Sequence, residues 1–373
     1  MSGVFLKHLL STLDSVEFTV LAPHDRGLPE SENVDGIEIR RFRYAPDDKE
    51  VLAYRGEMHR HLTSRPLAVW NFIRSYRNAA MSLVRNSTFD LIWAHWWVPG
   101  GWIGRKAKAV ADIPLVVTCH GTDIFLLNKY RWLRGQAASV FNAANRVTVV
   151  STFLKEQLAE AMKDRVEGIE EKTAVAPMPV DTGIFYYDEG IEPEPGLIAC
   201  ASRLTKQKHI DKLILAASRL KEDNVQFHID IYGDGPERQH LEKMIDELSV
   251  SDRVRINEPL PQGELADRYR KSQIAVLVSE REGFGLSLLE AMLCGCAAIG
   301  ARSGGITDIL AKDGVDGILV EPGDVDSLHE SLRELLMNRA RLTEMREACR
   351  TSAVSRFSNE SVSRIFEEIL EQL

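Results

Sequence analysis

Short β-branched or apolar runs alternate with amphipathic stretches through the second half of the chain, and this rhythm restricts the fold more than any other feature. "LIACAS" precedes "IDKLILAASRL", "FHIDIYG" precedes "RQHLEKMIDEL", "IAVLV" precedes "LSLLEAML", and "GILV" precedes "VDSLHESLRELL". The same alternation starts at "EFTVLAP", "DLIWAHW", "PLVVTCH" and "RVTVVS" in the first half. Strands joined by crossover helices run parallel, and parallel sheets are buried on both faces, so an α/β architecture follows. The segment "APMPVDTGIFYYDEGIEPEPG" breaks the rhythm with Pro, Gly and acidic residues. The expected layout is a Rossmann-like domain over 1–180, a linker over 181–195, a second Rossmann-like domain over 196–355, and a C-terminal helix over 356–373 that packs back on the first domain.

A length of 373 residues suits two cores rather than one. Hydrophobic residues at 44% and charged residues at 27% describe a folded, water-soluble chain. No apolar run approaches the roughly 18 residues of a membrane span, and the start "MSGVFLKHLL" lacks the layout of a secretory signal. A cytoplasmic location is therefore expected. The five cysteines, Cys119, Cys200, Cys294, Cys296 and Cys349, are scattered and odd in number, which argues for buried thiols instead of a disulfide framework. Cys294 and Cys296 have no second ligand pair nearby, so no metal is expected there. Net charge is −9, but it divides unevenly: residues 51–150 carry 13 Lys and Arg against 4 Asp and Glu, and hold all six tryptophans. An acidic chain of this kind is not expected to bind nucleic acid.

The informative loops follow strands. In an open parallel sheet, ligands bind beyond the carboxyl ends of the strands, and "TCHGTD", "SRLTKQK", "YGDGPE" and "EREGFG" all stand there. In "SEREGFGLSLLEAMLCGCAAIGARSGG", residues 279–305, Gly283 and Gly285 allow tight backbone approach, and the helix that follows aims free N–H groups at the same point. That combination suits a phosphate. Glu282 and Glu290 flank it. Ser287 and Glu290 also have capping-box spacing, which would give Glu290 a purely structural role.

Together, "SRLTKQKHIDKLILA", "IYGDGPERQHLEKM" and the 279–305 stretch resemble a retaining glycosyltransferase of family 4, with weaker matches at "DLIWAHWWVPGG", "VVTCHGTDIF" and "VTVVSTFLKEQL". The resemblance implies a GT-B fold, with two Rossmann-like domains facing each other across a cleft. It implies a UDP- or GDP-sugar donor and a lipid-linked, polysaccharide or small-molecule acceptor, and transfer with retention. Arg203 and Lys208 match the cationic pair on the donor diphosphate, Glu290 the ribose ligand, and Glu282 the glutamate facing the transferred sugar. Gly3, Gly233, Gly283, Phe284, Gly285 and Leu286 complete the implied donor site. His120 matches the histidine that meets the transferred sugar or the reacting hydroxyl, with His95, Trp96 and Asp123 implied on the acceptor side. No metal or other cofactor is expected, since fixed cations can balance the leaving charge. The family normally has a strand before its first glycine loop, and "SGV" at 2–4 stands where that loop would end.

Two rival readings use the same residues: a sugar-nucleotide epimerase, and a non-catalytic nucleotide-sugar-binding module. Gly233-Asp234-Gly235 lacks the third glycine of a dinucleotide fingerprint, which argues against an oxidoreductase. Asp324-Val325-Asp326 imitates a metal pair but opens a helix, so capping accounts for it. Asn86-Ser87-Thr88 is a glycosylation sequon with no role in a cytoplasmic chain. Finally, "RPLAVWNFIRSYRNAAMSLVR" and the tryptophan-rich "IWAHWWVPGGWIG" raise the expectation of peripheral contact with an anionic membrane, against the alternative that the tryptophans are core.

Overall fold

The computed structural model describes residues 4–13, 15–54 and 65–373, and Gly3 lies outside them. The chain divides into two compact units: residues 1–150, 154–178 and 363–373 form the first, and residues 151–153 and 179–362 the second.

In the first unit, β1 (Thr19–Pro23), β2 (Ser31–Val34) and β3 (Ile37–Phe42) make a three-stranded sheet in the order β1-β3-β2. β2 and β3 pair antiparallel around Asp35 and Gly36, which adopt φ of 54° and 87°. Two successive positive φ values make the tight hairpin turn that an Asp-Gly pair favours. The second sheet, β4 (Ile92–His95), β5 (Leu115–Cys119), β6 (Arg146–Val149) and β7 (Thr173–Val175), is wholly parallel and in chain order. Every residue of β5 is buried, as a central parallel strand requires. The helix Pro66–Asn86 packs on the first sheet, where Phe72 meets Phe42 and Tyr44 edge-on at 5.3 and 5.0 Å. Close to this cluster, buried His24 sets Nδ1 2.5 Å from Glu50 Oε2 and Nε2 2.7 Å from the Leu28 carbonyl. The Glu50 hydrogen bond raises the His24 pKa. At the chain end, Phe366 packs on Trp93 at 5.2 Å and Arg146 donates to Gln372.

The second unit is one parallel sheet of six strands: β8 (Leu197–Ala201), β9 (His228–Tyr232), β10 (Val254–Asn257), β11 (Ile274–Leu277), β12 (Ala297–Ala301) and β13 (Ile318–Val320). The order β10-β9-β8-β11-β12-β13 reverses direction between β8 and β11, so the loops leaving those two strands diverge to opposite faces and leave a crevice there. Behind β11, the helix Leu286–Leu293 buries Leu288, Leu289, Met292 and Leu293 completely or nearly so, each contributing about 1.5–3 kcal/mol of transfer free energy. Asp324 caps the helix Val325–Met337 by accepting from the Asp326 and Ser327 amides at 3.0 and 3.1 Å, the role its spacing predicts. All five cysteines are buried free thiols. Among the described residues no helix is long and apolar enough to cross a membrane.

Candidate active site

At the crevice of the second unit, the loop after β8 carries Arg203 and Lys208 and the loop after β11 carries Glu282 to Gly285. Lys208 Nζ lies 2.5 Å from Glu282 Oε2, with the two side chains 13% and 18% exposed. Hydrogen bonds weave the two loops together: the Glu280 amide donates to the Gln207 carbonyl at 2.8 Å, and the Gln207 side chain donates from Nε2 to the Arg281 carbonyl at 2.6 Å. From below, the loop after β12 holds the same stretch. Ser303 Oγ donates to the Glu280 carbonyl and the Gly305 amide to the Glu282 carbonyl. Arg203 is exposed, and among the described residues its guanidinium has no hydrogen-bond or ion-pair partner. One cation is thus held in place by a carboxylate and the other stands free, in a setting where an anion would find both.

Gly285 caps the helix Leu286–Leu293 at φ 110°, a conformation that favours glycine, and no side chain caps this end. The capping-box reading of Ser287 and Glu290 is therefore not realised. Ser287 sits inside the first turn, too late to act as the cap, and Glu290 lies a further turn along. Phe284 turns its ring away from the crevice into the core, edge-on to Phe357 at 5.6 Å, so only its backbone is left to a ligand. Gly233 has a packing reason of its own, since a Cβ there would stand 1.9 Å from the Ser202 carbonyl oxygen. That close approach brings the loop after β9 against the loop that carries Arg203.

Glu290 is the one carboxyl of the group without a partner: among the described residues no hydrogen bond or ion pair reaches it. Desolvation of this part-buried carboxyl pushes its pKa up to about 8. At neutral pH it is mostly protonated. A vicinal diol that donates two hydrogen bonds to this carboxyl stabilises its ionised form, so binding releases a proton. Nucleotide affinity should then rise between about pH 6 and pH 8, by at most tenfold per unit for one proton, and level off above the free-state value. Titration calorimetry of UDP in buffers of different ionisation enthalpy measures this. Glu290→Gln should remove that part of the slope, and an unchanged slope would take Glu290 out of the ribose site.

In the first unit, His95 at the end of β4 and His120 after β5 come together from neighbouring parallel strands. His95 Nδ1 and His120 Nε2 are 2.9 Å apart, with the rings stacked at 5.2 Å and 26°. Burial lowers the His95 pKa to about 4 and holds His120 well below its usual value, with the charge of the neighbouring ring adding to the latter shift. Both rings are neutral at physiological pH. Trp93 stacks on His95 at 5.4 Å, and Trp96 lies 4.7 Å from His120. Asp123, expected beside the acceptor, is instead 2% exposed and organises the turn. One oxygen accepts the His120 and Gly121 amides and the other the Trp97 amide, each at 3.1 Å. A carboxylate committed to three backbone donors has little left for a ligand.

Ser151 escaped sequence reasoning altogether. Its hydroxyl is fully buried and donates to the Gly283 carbonyl at 2.7 Å, while the Thr152 amide reaches Asp308 at 2.6 Å. No signal in "VVSTFL" announces a residue that steadies a loop 132 positions away. Gly304 and Gly305 were legible only as part of "ARSGG"; their Cβ positions would collide with Glu282, Gly283 and Phe284 backbone.

Two family models match the chain: Glycosyltransferase Family 4 over residues 3–183 and Glycosyl transferases group 1 over residues 187–355. N-acetyl-alpha-D-glucosaminyl L-malate synthase of Bacillus anthracis is 27% identical over 295 residues, covering 77% of this chain and 76% of that protein. D-inositol 3-phosphate glycosyltransferase 1 of Catenulispora acidiphila is 28% identical over 301 residues, 74% of this chain and 71% of that one. Among solved structures, sucrose-phosphate synthase from Thermosynechococcus elongatus superposes with a TM-score of 0.81 at 18% identity over 100% of this chain and 93% of that one. HepE from Anabaena, solved with UDP and glucose, gives 0.70 at 20% identity over 91% and 87%. Those likenesses are of fold, and the fold is GT-B. With both halves matched and the cationic and acidic residues gathered at one crevice, the chain belongs to the retaining glycosyltransferases of family 4 and is a hexosyltransferase.

Proposed function

We propose that the donor is a UDP-sugar, its diphosphate held by Arg203 and Lys208, its ribose by Glu290 and its transferred sugar by Glu282. The carrying observation is the Lys208–Glu282 pair at 2.5 Å, on the loops that also carry Arg203 and lead to Glu290, neither of whose side chains has a partner among the described residues. UDP is preferred over GDP because structures of similar fold were solved with UDP: HepE with UDP-glucose, and the pneumococcal O-GlcNAc transferase GtfA with UDP and GlcNAc. As the bond from the anomeric carbon to the diphosphate breaks, negative charge grows on the leaving oxygen, and preorganised cations lower that barrier. The acceptor hydroxyl, of a lipid-linked glycan, polysaccharide or small molecule, attacks from the same face and gives its proton to the departing phosphate. His120 contacts the sugar. Divalent metal is not needed, since two side-chain cations and the open helix end at Gly285 face the charge. Incubation with UDP- and GDP-sugars and an acceptor panel in EDTA is the test. Turnover with a UDP-sugar and an unchanged anomer by NMR is expected; loss of turnover on chelation would contradict metal independence. Turnover of donor without acceptor would favour an epimerase.

The membrane reading rests on one helix, in a protein that works at the inner face of a membrane. On the outward side of Pro66–Asn86, Leu67 is 78% and Trp70 57% exposed, with Arg74 above the Trp70 ring at 5.3 Å and Arg77 and Arg85 also exposed. In the tryptophan-rich stretch that begins in β4, Trp97 is fully buried, and Trp93 and Trp96 pack around the histidines. Each basic residue near an anionic leaflet contributes about 1 kcal/mol. Co-sedimentation with phosphatidylserine vesicles should weaken with salt and with Trp70→Ala; salt-indifferent binding would exclude this face.

A further inference from the structure

We infer that Gln207 is a positioning residue for the transfer reaction: its side-chain amide fixes the peptide plane that precedes Glu282 and so sets the direction in which the Glu282 carboxylate leaves the backbone. The inference rests on the reading of Glu282 as the residue that faces the transferred sugar, and adds what aims it.

The direction of a Cα–Cβ bond is set once the two peptide planes that flank the Cα are set. At Glu282 each plane is held by one hydrogen bond. The Arg281 carbonyl, in the plane before it, accepts from Gln207 Nε2 at 2.6 Å, and the Glu282 carbonyl, in the plane after it, accepts from the Gly305 amide at 3.1 Å. Only the NH2 group of a glutamine can donate to a carbonyl, so this partner also settles which way round the Gln207 amide lies. The neighbouring carbonyls are taken too: that of Glu280 accepts from Ser303 Oγ at 2.5 Å, and that of Gly283 from Ser151 Oγ at 2.7 Å. Every carbonyl from 280 to 283 is thus pinned, each by a different residue.

Within this set Gln207 is the residue that lies on the loop of the cation. Its own carbonyl accepts the Glu280 amide at 2.8 Å, so it grips the Glu280–Arg281 stretch at two points. Gln207 and Lys208 share the 3-10 turn Lys206–Lys208, which is closed by the Lys208 amide on the Thr205 carbonyl at 2.9 Å. One residue therefore holds the backbone that leads into Glu282, and the next holds its carboxylate, with Lys208 Nζ 2.5 Å from Oε2. The ammonium aimed at the leaving phosphate and the carboxylate aimed at the sugar keep a fixed separation because adjacent residues of one turn grip both ends of Glu282.

Gln207 is itself exposed, so substitutions there leave the core intact. Gln207→Met keeps the length of the side chain and removes the donor. With a saturating UDP-sugar, kcat should fall about tenfold, since a group at the reacting sugar is displaced and not removed. UDP carries no transferred sugar, and its affinity should stay within about twofold of the wild type, with the melting temperature within about 2 °C. Amide exchange followed by NMR should show the Glu280 amide losing about tenfold of its protection, because its bond to the Gln207 carbonyl loses its companion. Gln207→Lys places an ammonium donor at the same carbonyl and should bring kcat back to within about threefold of the wild type. Wild-type kcat in Gln207→Met would overturn the inference, and so would a Gln207→Lys variant as slow as Gln207→Met. A loss of kcat matched by an equal loss of UDP affinity or by a lower melting temperature would reduce Gln207 to a structural role and refute it as well. If the wild-type protein transfers no sugar at all, the functional reading fails while the Glu280 amide still reports on the clamp; unchanged protection in Gln207→Met would show that the clamp does not exist.

Discussion

Lys208→Ala should lower kcat by about 10²–10³-fold, the loss that follows removal of one preorganised charge-stabilising group from an enclosed site. The ammonium is 13% exposed and fixed by Glu282, so its orientation exists before the donor arrives. Arg203 remains in the variant and keeps the loss from becoming total. UDP affinity should weaken as well, because the diphosphate meets the cation in the ground state. Lys208→Arg should recover only part of the activity: the planar guanidinium needs a different approach to the carboxylate than a point charge does. Steady-state rates with a saturating UDP-sugar, paired with UDP titrations, separate these effects. Wild-type kcat in Lys208→Ala would remove Lys208 from the leaving-group site.

Gly304→Ala should damage both stability and donor binding. At φ 58° the new Cβ would stand 1.9 Å from the Glu282 carbonyl oxygen, so the backbone beneath Glu282 has to move. Overpacking against well-ordered surroundings costs about 1–3 kcal/mol. For a unit of this size that amounts to a melting temperature lower by roughly 2–10 °C. Gly314→Ala is the control. It has φ 75° but nothing within 4 Å of the new methyl, so it tests the backbone conformation alone. Both variants should melt earlier, and only Gly304→Ala should bind UDP more than tenfold less tightly. Equal UDP affinity in the two would show that the loop after β12 does not shape the donor site.

Most of the parallel strands were legible because buried strands of an α/β sheet are nearly continuous apolar runs, as "LVVTC" and "IAVL" are, whereas the short "TAV" and "VRIN" and the alanine-rich "AAIGA" were not singled out. β2 and β3 were not read. "SENV" and "IEIRRF" are short and charged, and the Asp35-Gly36 turn between them was the available signal. In the second unit, Arg203, Lys208, Glu282 and Glu290 could be proposed because each stands in a recognisable motif beside a strand end. Their pairing could not: nothing local in "SRLTKQK" tells that Lys208 reaches a carboxylate 74 residues on. Asp123 misled for a related reason. An acid beside a His-Gly pair reads as a ligand, yet the amides it must satisfy come partly from Trp97, on another strand's loop. Ser151 and Gln207 act through side-chain bonds to distant carbonyls, a role that composition and periodicity do not mark.

A crystal structure with UDP bound tests the central claim most directly, because it places the nucleotide against named atoms. The account predicts ribose hydroxyls on the Glu290 carboxylate, diphosphate oxygens within hydrogen-bond reach of Lys208 Nζ and the Arg203 guanidinium, and the pyrophosphate over the helix end at Gly285. UDP bound away from the loops after β8 and β11, or ribose remote from Glu290, would contradict it.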